Sequence, residues 1–179
     1  GMDAFIEVVV KGFKDYVGSD ELTHEAMQAL TPDQITLWGY LILRDELCDG
    51  GFIQLIHNGY GPFFFLNPFA KAMRLWGLKE FSKFIYRARE LYEEYHEDIE
   101  REMDYDEFMA LYEQYPEFED LDDEFICMEE QVTGRVAAYL DDHLQDFTDS
   151  VTQGGSSLTR YTPQELLHSY NGKESIETS

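Results

Sequence analysis

The chain has 179 residues, enough for one domain with a continuous hydrophobic core. Its formal net charge is −24, yet hydrophobic residues make up 44% of it and aromatic residues 15%, which excludes a disordered acidic tail. A surface this acidic should repel nucleic acid and anionic lipid and should attract basic proteins.

The first part of the chain predicts helices separated by glycine and proline. Apolar residues at helical spacing predict a helix over 3–17 that Gly18 ends, and a short helix is expected at about 22–30. Thr31-Pro32 supplies an N-cap and a proline at the first helical position of the next helix, which Gly50-Gly51 ends.

The stretch 52–66 is the most apolar in the chain. We expect a short buried helix that ends at His57, a turn at Asn58-Gly59 and a compact buried segment at 62–66. Asn67-Pro68 then repeats the signal of a cap followed by proline and starts another helix.

The second half of the chain predicts longer helices. The run 78–103 is the longest periodic one, with its apolar residues on one face. Asp104 can cap a short helix that ends before Pro116, and a last long helix is expected at 121–147.

After residue 147 the composition shifts to Gly, Ser and Thr, which indicates a loop, and Thr162-Pro163 starts one short helix. No alternation of apolar and polar residues predicts a strand. The sequence therefore predicts an all-α fold, with a single compact, acidic multi-helix domain at 2–147. A weakly ordered loop and short helix are expected at 148–179.

The start of the chain and its cysteines favour a cytoplasmic protein. Met2-Asp3-Ala4-Phe5 lacks the basic segment and apolar run of a secretion signal, and no stretch approaches the roughly 18 apolar residues that a membrane span needs. Cys48 and Cys127 lack the spacing of a disulfide scaffold. Since each lies within an amphipathic pattern, we expect buried, reduced thiols.

The charge is concentrated between Glu93 and Glu130. These 38 positions hold 18 acidic side chains and a single basic one, Arg101, and so carry −17 of the net charge. If 93–102 is helical, it presents a net charge every ~3 Å, close to the ~3.4 Å spacing of phosphates along one DNA strand. Acid-rich helices are also common as solvated faces that keep proteins soluble.

We interpret this stretch as a partner-binding acidic surface. The helix 78–103 changes sign along its outer face, because residues 61–92 carry a net charge of +4 before the acids begin. The candidate partner-binding residues are Glu93, Glu94, Glu97, Asp98, Glu100, Glu102, Asp104, Asp106, Glu119, Asp120, Asp122, Asp123, Glu124, Glu129 and Glu130.

The alternative to a partner-binding surface is a di-metal helical bundle, as found in some enzymes and metalloproteins. Such bundles use Glu-x-x-His motifs, because positions i and i+3 share a helix face and can hold a metal pair. The chain contains three of them, at Glu21/His24, Glu93/His96 and Glu165/His168, a mild excess over chance. Neither a catalytic triad context nor a glycine-rich phosphate loop is present.

A further pattern lies between Glu46 and Gly59. It consists of a glutamate, a Gly-Gly-Phe, a glutamine two residues further on and a turn that contains asparagine. The pattern resembles a bacterial domain-of-unknown-function family whose named representative is a DNA mimic protein, and the resemblance covers about residues 32–147. The matching residues are Glu46, Gly50, Gly51, Phe52, Gln54 and Asn58, while Asp49 stands where asparagine is usual.

The residues of this motif indicate a structural role. Gly50 can end a helix with positive φ, and Gly51 allows close approach of another part of the chain. Gln54 and Asn58 could bind buried backbone groups near the turn, and we expect Glu46 to be paired within the same network.

The resemblance implies an all-helical, acidic protein that is not an enzyme. With the charge, it leads to the hypothesis of a cytoplasmic DNA mimic that occupies the DNA-binding surface of a basic transcription regulator or nucleoid protein. No catalytic residue, cofactor, metal, membrane or direct nucleic-acid contact is expected. The di-metal bundle and a plain scaffold with solubilising acids remain alternatives, and a homodimer stays open.

Overall fold

The structure, a computed structural model, describes residues 1–148. This part of the chain is helical and contains no strand, so the predicted all-α fold class is confirmed. A single π-helical turn at Pro62–Leu66 lies between the fourth and fifth α-helices. The α-helices of the described residues are α1 (Met2–Val17), α2 (His24–Gln28), α3 (Pro32–Asp49), α4 (Gly51–His57), α5 (Phe69–Leu75), α6 (Lys79–Glu100), α7 (Tyr105–Gln114), α8 (Glu117–Asp142) and α9 (Leu144–Thr148).

The described chain divides into two compact units, and the first contains Gly1–Leu41 and residues 133–148. Helix α1 buries one stripe of apolar residues, which the amphipathic spacing predicts. Two buried polar contacts link the sequence-distant parts of this unit. Gln34 Nε2 donates to the carbonyl oxygen of Phe147 at 2.8 Å, and the hydroxyl oxygens of Tyr40 and Thr133 lie 2.6 Å apart.

The second unit, Ile42–Val132, has an aromatic core. Phe52 is fully buried, and its ring centroid lies 5.6 Å from that of Phe84, 6.3 Å from that of Phe65 and 6.5 Å from that of Phe118. Phe84 in turn lies 6.2 Å from Phe125. The aromatic residues of the apolar stretch therefore join α4, α6 and α8 within this unit.

Helix starts follow the predicted chemistry at two sites. Pro32 is the first residue of α3, and Asp104 Oδ1 accepts the backbone N–H of Glu107 at 2.8 Å at the start of α7. The last long helix differs from its predicted range of 121–147. It begins four residues earlier, directly after Pro116, and stops at Asp142 before the short α9 begins.

Pro116 and the acids behind it account for the early start of α8. Proline cannot supply an N–H within a helix but is tolerated at a helix start. Three acids, at Glu117, Glu119 and Asp120, then occupy the first turn, where the helix dipole favours negative charge. The predicted short helix at Thr162-Pro163 and the loop before it lie outside the described residues.

The expectation of buried cysteines is wrong. Cys48 and Cys127 are both thiols, and both are exposed. Cys127 follows the buried Phe125 by two residues, about 200° around the helix, and so lies on its outer side. Cys48 likewise comes one residue after the buried Leu47 and turns away from the core.

None of the helices within residues 1–148 combines the length and the apolar character needed to cross a membrane.

Candidate partner-binding surface

Helix α6 separates apolar and acidic residues onto opposite sides. Its buried side includes Phe84, Ala88, Tyr92 and Ile99. Its exposed side carries four glutamates at helical spacing of three and four, so they follow one another along the surface of the helix. These glutamates are Glu90, Glu93, Glu94 and Glu97.

The N-terminal half of α8 runs antiparallel to α6. Phe84, early in α6, contacts Phe125, whereas Tyr95, later in α6, lies 6.4 Å from Phe118, measured between ring centroids. Arg87 of α6 makes a bidentate ion pair with Glu124 of α8. Acids on the outer sides of the two helices are thus carried by adjacent elements of the same unit.

Tyr95 marks a point where acids of α6 and α8 come close together. The pKa of the Tyr95 phenol is raised, mainly by burial. The neighbouring carboxylates of Glu117 and Glu94 raise it further. Glu94 belongs to α6 and Glu117 to the first turn of α8. Two carboxylates from different helices therefore act on the same hydroxyl group.

The turn between α6 and α7 is fixed by an ionic network. Asp98 accepts hydrogen bonds from Tyr115 Oη at 2.5 Å and from Arg101 Nε at 2.8 Å. The hydrogen bond from Tyr115, followed by the one from Arg101, lowers the pKa of Asp98. The hydrogen bond to Asp98 in turn raises the pKa of Tyr115 to about 12. Arg101 also pairs with Glu107 of α7 at 2.9 Å. Asp98 is consequently a structural anion as well as a surface one.

Several of the predicted acids have no internal partner. Within residues 1–148 they accept no hydrogen bond and form no ion pair, and all of them are exposed. They are Glu97, Glu102, Asp106, Glu119, Asp120, Asp123 and Glu130.

Other predicted acids are at the surface but engaged. Glu93 pairs with Arg89 at 2.9 Å, and Glu124 pairs with Arg87. Glu94 lies next to Tyr95 and helps to raise the pKa of its phenol, and Asp104 caps α7. Such carboxylates still contribute negative potential, but their charge is partly used within the protein.

Three predicted acids do not belong to an outward surface. Asp122 accepts the backbone N–H of Phe52, Glu129 lies 3.7 Å from Arg44 Nε, and Glu100 lies against His96. None of the three side chains is fully exposed. We leave them out of the candidate surface, because a carboxylate that serves an internal donor is poorly available to a partner.

The candidate set based on sequence missed Glu90, Glu107, Glu113 and Glu117, which are all exposed. Glu117 is the first residue of α8, four residues before the helix start that the sequence predicted. Pro116 was the available signal, since proline often stands at a helix start. We use the name α6–α8 acids for the exposed acids of these two helices between residues 90 and 130, namely Glu90, Glu93, Glu94, Glu97, Glu117, Glu119, Asp120, Asp123 and Glu130.

The residues of the Glu46 motif form an internal polar network. Glu46 Oε2 accepts hydrogen bonds from Gln54 Nε2 at 3.1 Å and from Asn58 Nδ2 at 3.0 Å. Gln54 Nε2 also donates to Asp49 Oδ2 at 3.0 Å. The two amides thus bind carboxylates of α3 rather than the backbone groups that were expected.

The positive φ expected at Gly50 occurs instead at Gly51, which also has the close approach expected of it. Positive φ occurs at Gly51, at 75°, whereas Gly50 has a φ of −142°. A Cβ atom on Gly50 would lie 2.0 Å from Gln54 Oε1, and one on Gly51 would lie 2.2 Å from Asp122 Oδ2. Position 50 therefore needs a glycine only because another side chain approaches it closely. Position 51 needs one for the same reason and also because its φ is positive.

Asp122 and Tyr112 hold this turn from two neighbouring helices. Asp122 Oδ1 accepts the Phe52 N–H at 2.9 Å, and Tyr112 Oη donates to the Gly50 carbonyl at 2.7 Å. Burial raises the pKa of Asp122 to about 7 despite the Phe52 bond, which lowers it. Burial also raises the pKa of Tyr112 to about 12, with smaller effects from Asp122, Asp49 and Glu46.

The best-placed Glu-x-x-His motif does not form a unit. Glu93 points to Arg89, whereas His96 Nδ1 lies 3.5 Å from Glu100 Oε1. Glu100 also accepts a hydrogen bond from Tyr92, and burial followed by this bond raises the pKa of Tyr92. His96 thus lies in a polar contact internal to α6.

The other two motifs give no assembled site in the described residues. Glu21 and His24 are exposed in the first unit, and Glu165/His168 lies beyond residue 148. No group of three or more His, Cys, Asp or Glu side chains that could hold a metal ion occurs within residues 1–148.

The fold and these side chains define an all-helical, acidic protein whose second unit carries outward carboxylates on α6, α7 and α8. The chain belongs to the DMP19-like protein family, and the match covers residues 28–143. It is 34% identical over 124 residues to the DNA mimic protein DMP19 of Neisseria meningitidis serogroup B (strain ATCC BAA-335 / MC58). The alignment spans 69% of this chain and 75% of that protein. The family resemblance seen in the Glu46 motif is confirmed.

Proposed function

We propose that this chain is a DNA mimic without catalytic activity. Its α6–α8 acids occupy the DNA-binding surface of a basic protein, such as a transcription regulator or a nucleoid protein, and their carboxylates take the place of phosphates. Such a partner acts on the chromosome, so we expect the chain to work in the cytoplasm. The name of the relative from Neisseria meningitidis supports the same role here.

The packing of α6 against α8 is the observation on which the proposal depends most. Arg87 of α6 pairs with Glu124 of α8, and the ring centroids of Tyr95 and Phe118 lie 6.4 Å apart, so the acids of the two helices belong to adjacent elements of the unit. Nearby acids such as Glu97 and Asp120 have no ion pair or hydrogen bond within residues 1–148. Unneutralised charge destabilises the compact state through self-repulsion, and a cationic partner relieves that repulsion.

The proposal predicts a steep dependence of affinity on salt. Lys and Arg side chains that neutralise phosphates release bound counterions, and a surface that imitates phosphates should respond in the same way. Capture from the native cell at low salt identifies the partner. Binding is then measured with that purified protein at several salt concentrations. We expect log Kd to rise linearly with log salt.

A four-acid variant tests which charges are responsible. It combines Glu97→Gln, Glu117→Gln, Asp120→Asn and Asp123→Asn, and each neutralised contact should lower the salt slope by about 1. The matched control removes four exposed charges of the first unit, at Asp20, Glu25, Asp141 and Asp142. Equal loss of binding in both variants would point to net charge alone, and no loss in the four-acid variant would contradict the proposal.

A further inference from the structure

Helix α7 carries two large apolar side chains that the core does not use. Tyr105 is 73% exposed, the highest value among large hydrophobic residues of the described chain, and Met109 is 45% exposed. They are four residues apart and therefore adjacent on the helix surface. The opposite side of α7 buries Leu111.

The rim of this apolar pair is acidic. Asp106 follows Tyr105 directly, Glu113 lies one turn after Met109, and Glu102 precedes the helix. These three acids are exposed and have no ion pair or hydrogen bond within residues 1–148. Apolar residues at the centre and charges at the rim are the usual arrangement of a protein interface.

Helix α7 is also held rigidly. Asp104 caps it, Glu107 pairs with Arg101, and Tyr112 donates to the carbonyl oxygen of Gly50 at 2.7 Å. A surface that is already fixed loses little conformational entropy on binding. Helix α7 therefore presents its outer side chains in a defined position.

We propose that Tyr105 and Met109 form an apolar anchor in the interface with the basic DNA-binding protein. The inference rests on the proposed function and adds a contact that DNA itself does not offer. The face of an exposed tyrosine ring can receive an Arg guanidinium, and the aliphatic stems of Lys and Arg can cover Met109. The acids at Glu102, Asp106 and Glu113 pair with the cationic ends of the same side chains.

Charge complementarity selects a basic partner over a second copy of this chain. A symmetric contact through α7 would bring the rim acids Glu102, Asp106 and Glu113 against the same residues of the other copy. The net charge of −24 adds further repulsion. A cationic surface instead neutralises the rim while it covers the apolar pair.

The test combines Tyr105→Ala with Met109→Ala. The probe is a purified DNA-binding protein. It is chosen because the unsubstituted chain displaces labelled duplex DNA from it. We expect Kd to rise about 10- to 30-fold, mainly through faster dissociation, because a tyrosine that becomes buried at the centre of an interface is typical of the few residues that carry much of its energy. The salt slope should stay the same, since no charge is removed. The matched control is Val8→Ala with Tyr16→Ala, which removes two exposed side chains, 69% and 54% exposed, from α1.

The outcomes separate this inference from the proposed function. A Kd within twofold of the unsubstituted value, with the four-acid variant still impaired, overturns the anchor and leaves the mimic intact. Failure of the unsubstituted chain to displace DNA from any captured protein overturns both. A dimer that the α7 variant converts to a monomer in sedimentation would assign Tyr105 and Met109 to self-association and also overturn the inference.

Discussion

Two acidic regions of the second unit use their carboxylates in opposite ways. In the Glu46 motif, Glu46 and Asp49 accept hydrogen bonds from side-chain amides, and Asp122 accepts one from the backbone. Many α6–α8 acids, Asp120 among them, have no such donor within residues 1–148. Acidic composition is common to both regions, so only the presence of a donor distinguishes a structural carboxylate from one that can bind a partner.

The largest effect is expected at Gly51. Gly51→Ala would force an alanine to positive φ, at about 1–2 kcal/mol, and push its Cβ into Asp122, at about 1–3 kcal/mol more. The free energy of unfolding, measured by urea titration, should therefore fall by about 2–5 kcal/mol. Gly77→Ala is the control, because Gly77 has a φ of 93° but no atom within 4 Å of the place that a Cβ would take.

The control should lose only the backbone part, roughly 1–2 kcal/mol. Equal losses at the two glycines would mean that contact with Asp122 does not constrain the turn, and the contrast between the two acidic regions would weaken.

Asp122 should make stability depend on pH. Its pKa is raised from 3.8 to about 7 in the folded protein, so between these values the folded state binds more protons than the unfolded state. Its contribution to stability therefore falls as pH rises from about 4 to about 7, by on the order of 2–3 kcal/mol. Asp122→Asn keeps an oxygen for the Phe52 N–H and should remove this decline.

The measurement is urea unfolding of both proteins at pH 5 and pH 8. Asp123→Asn serves as the control, since Asp123 is exposed and adjacent in sequence. If Asp122→Asn and Asp123→Asn showed the same pH profile, Asp122 would behave as an ordinary surface acid.

A smaller loss is expected for Glu46→Ala. The substitution removes the acceptor of the Gln54 and Asn58 amides, and an unpaired polar group that is partly buried costs about 1–2 kcal/mol. Glu46→Gln should recover part of the loss, because its carbonyl oxygen still accepts. Thermal unfolding of the three proteins checks the order. A Glu46→Ala protein as stable as the parent would show that water replaces the network.

The smallest effect on stability is expected for the α6–α8 acids. The four-acid variant should unfold within about 0.5 kcal/mol per site of the parent, because reduced self-repulsion offsets the loss of Glu117 and Asp120 from the first turn of α8, where the helix dipole favours acids. Urea unfolding at low and high salt measures this. A large destabilisation would mean that these acids are structural, like those of the Glu46 motif.

The sequence predicted the helical fold well, because that fold follows from local signals. Apolar spacing located α1 and α6, and Asp104 marked the start of α7. The positive φ at Gly51 rather than Gly50 was not predictable, since either glycine of the pair could adopt it. The close approach at Gly51 was not predictable either, because it comes from Asp122, which lies far away in sequence.

The candidate surface was less predictable for the same reason. Asp122 and Asp123 are both aspartates, and nothing in the sequence tells them apart. Only Asp122, however, accepts a hydrogen bond from the N–H of Phe52. The exposed Cys127 shows a related difficulty, because an amphipathic pattern alone does not fix which side a borderline residue takes. Contacts between distant segments decide such cases.

Displacement of DNA tests the central claim most directly. A labelled duplex is bound to the captured DNA-binding protein, and this chain is added while fluorescence anisotropy is recorded. The proposal predicts that anisotropy falls to the value of free DNA, and that the four-acid variant requires a much higher concentration. A rise in anisotropy, which indicates a complex of all three molecules, would contradict it, because the chain would then bind outside the DNA-binding surface.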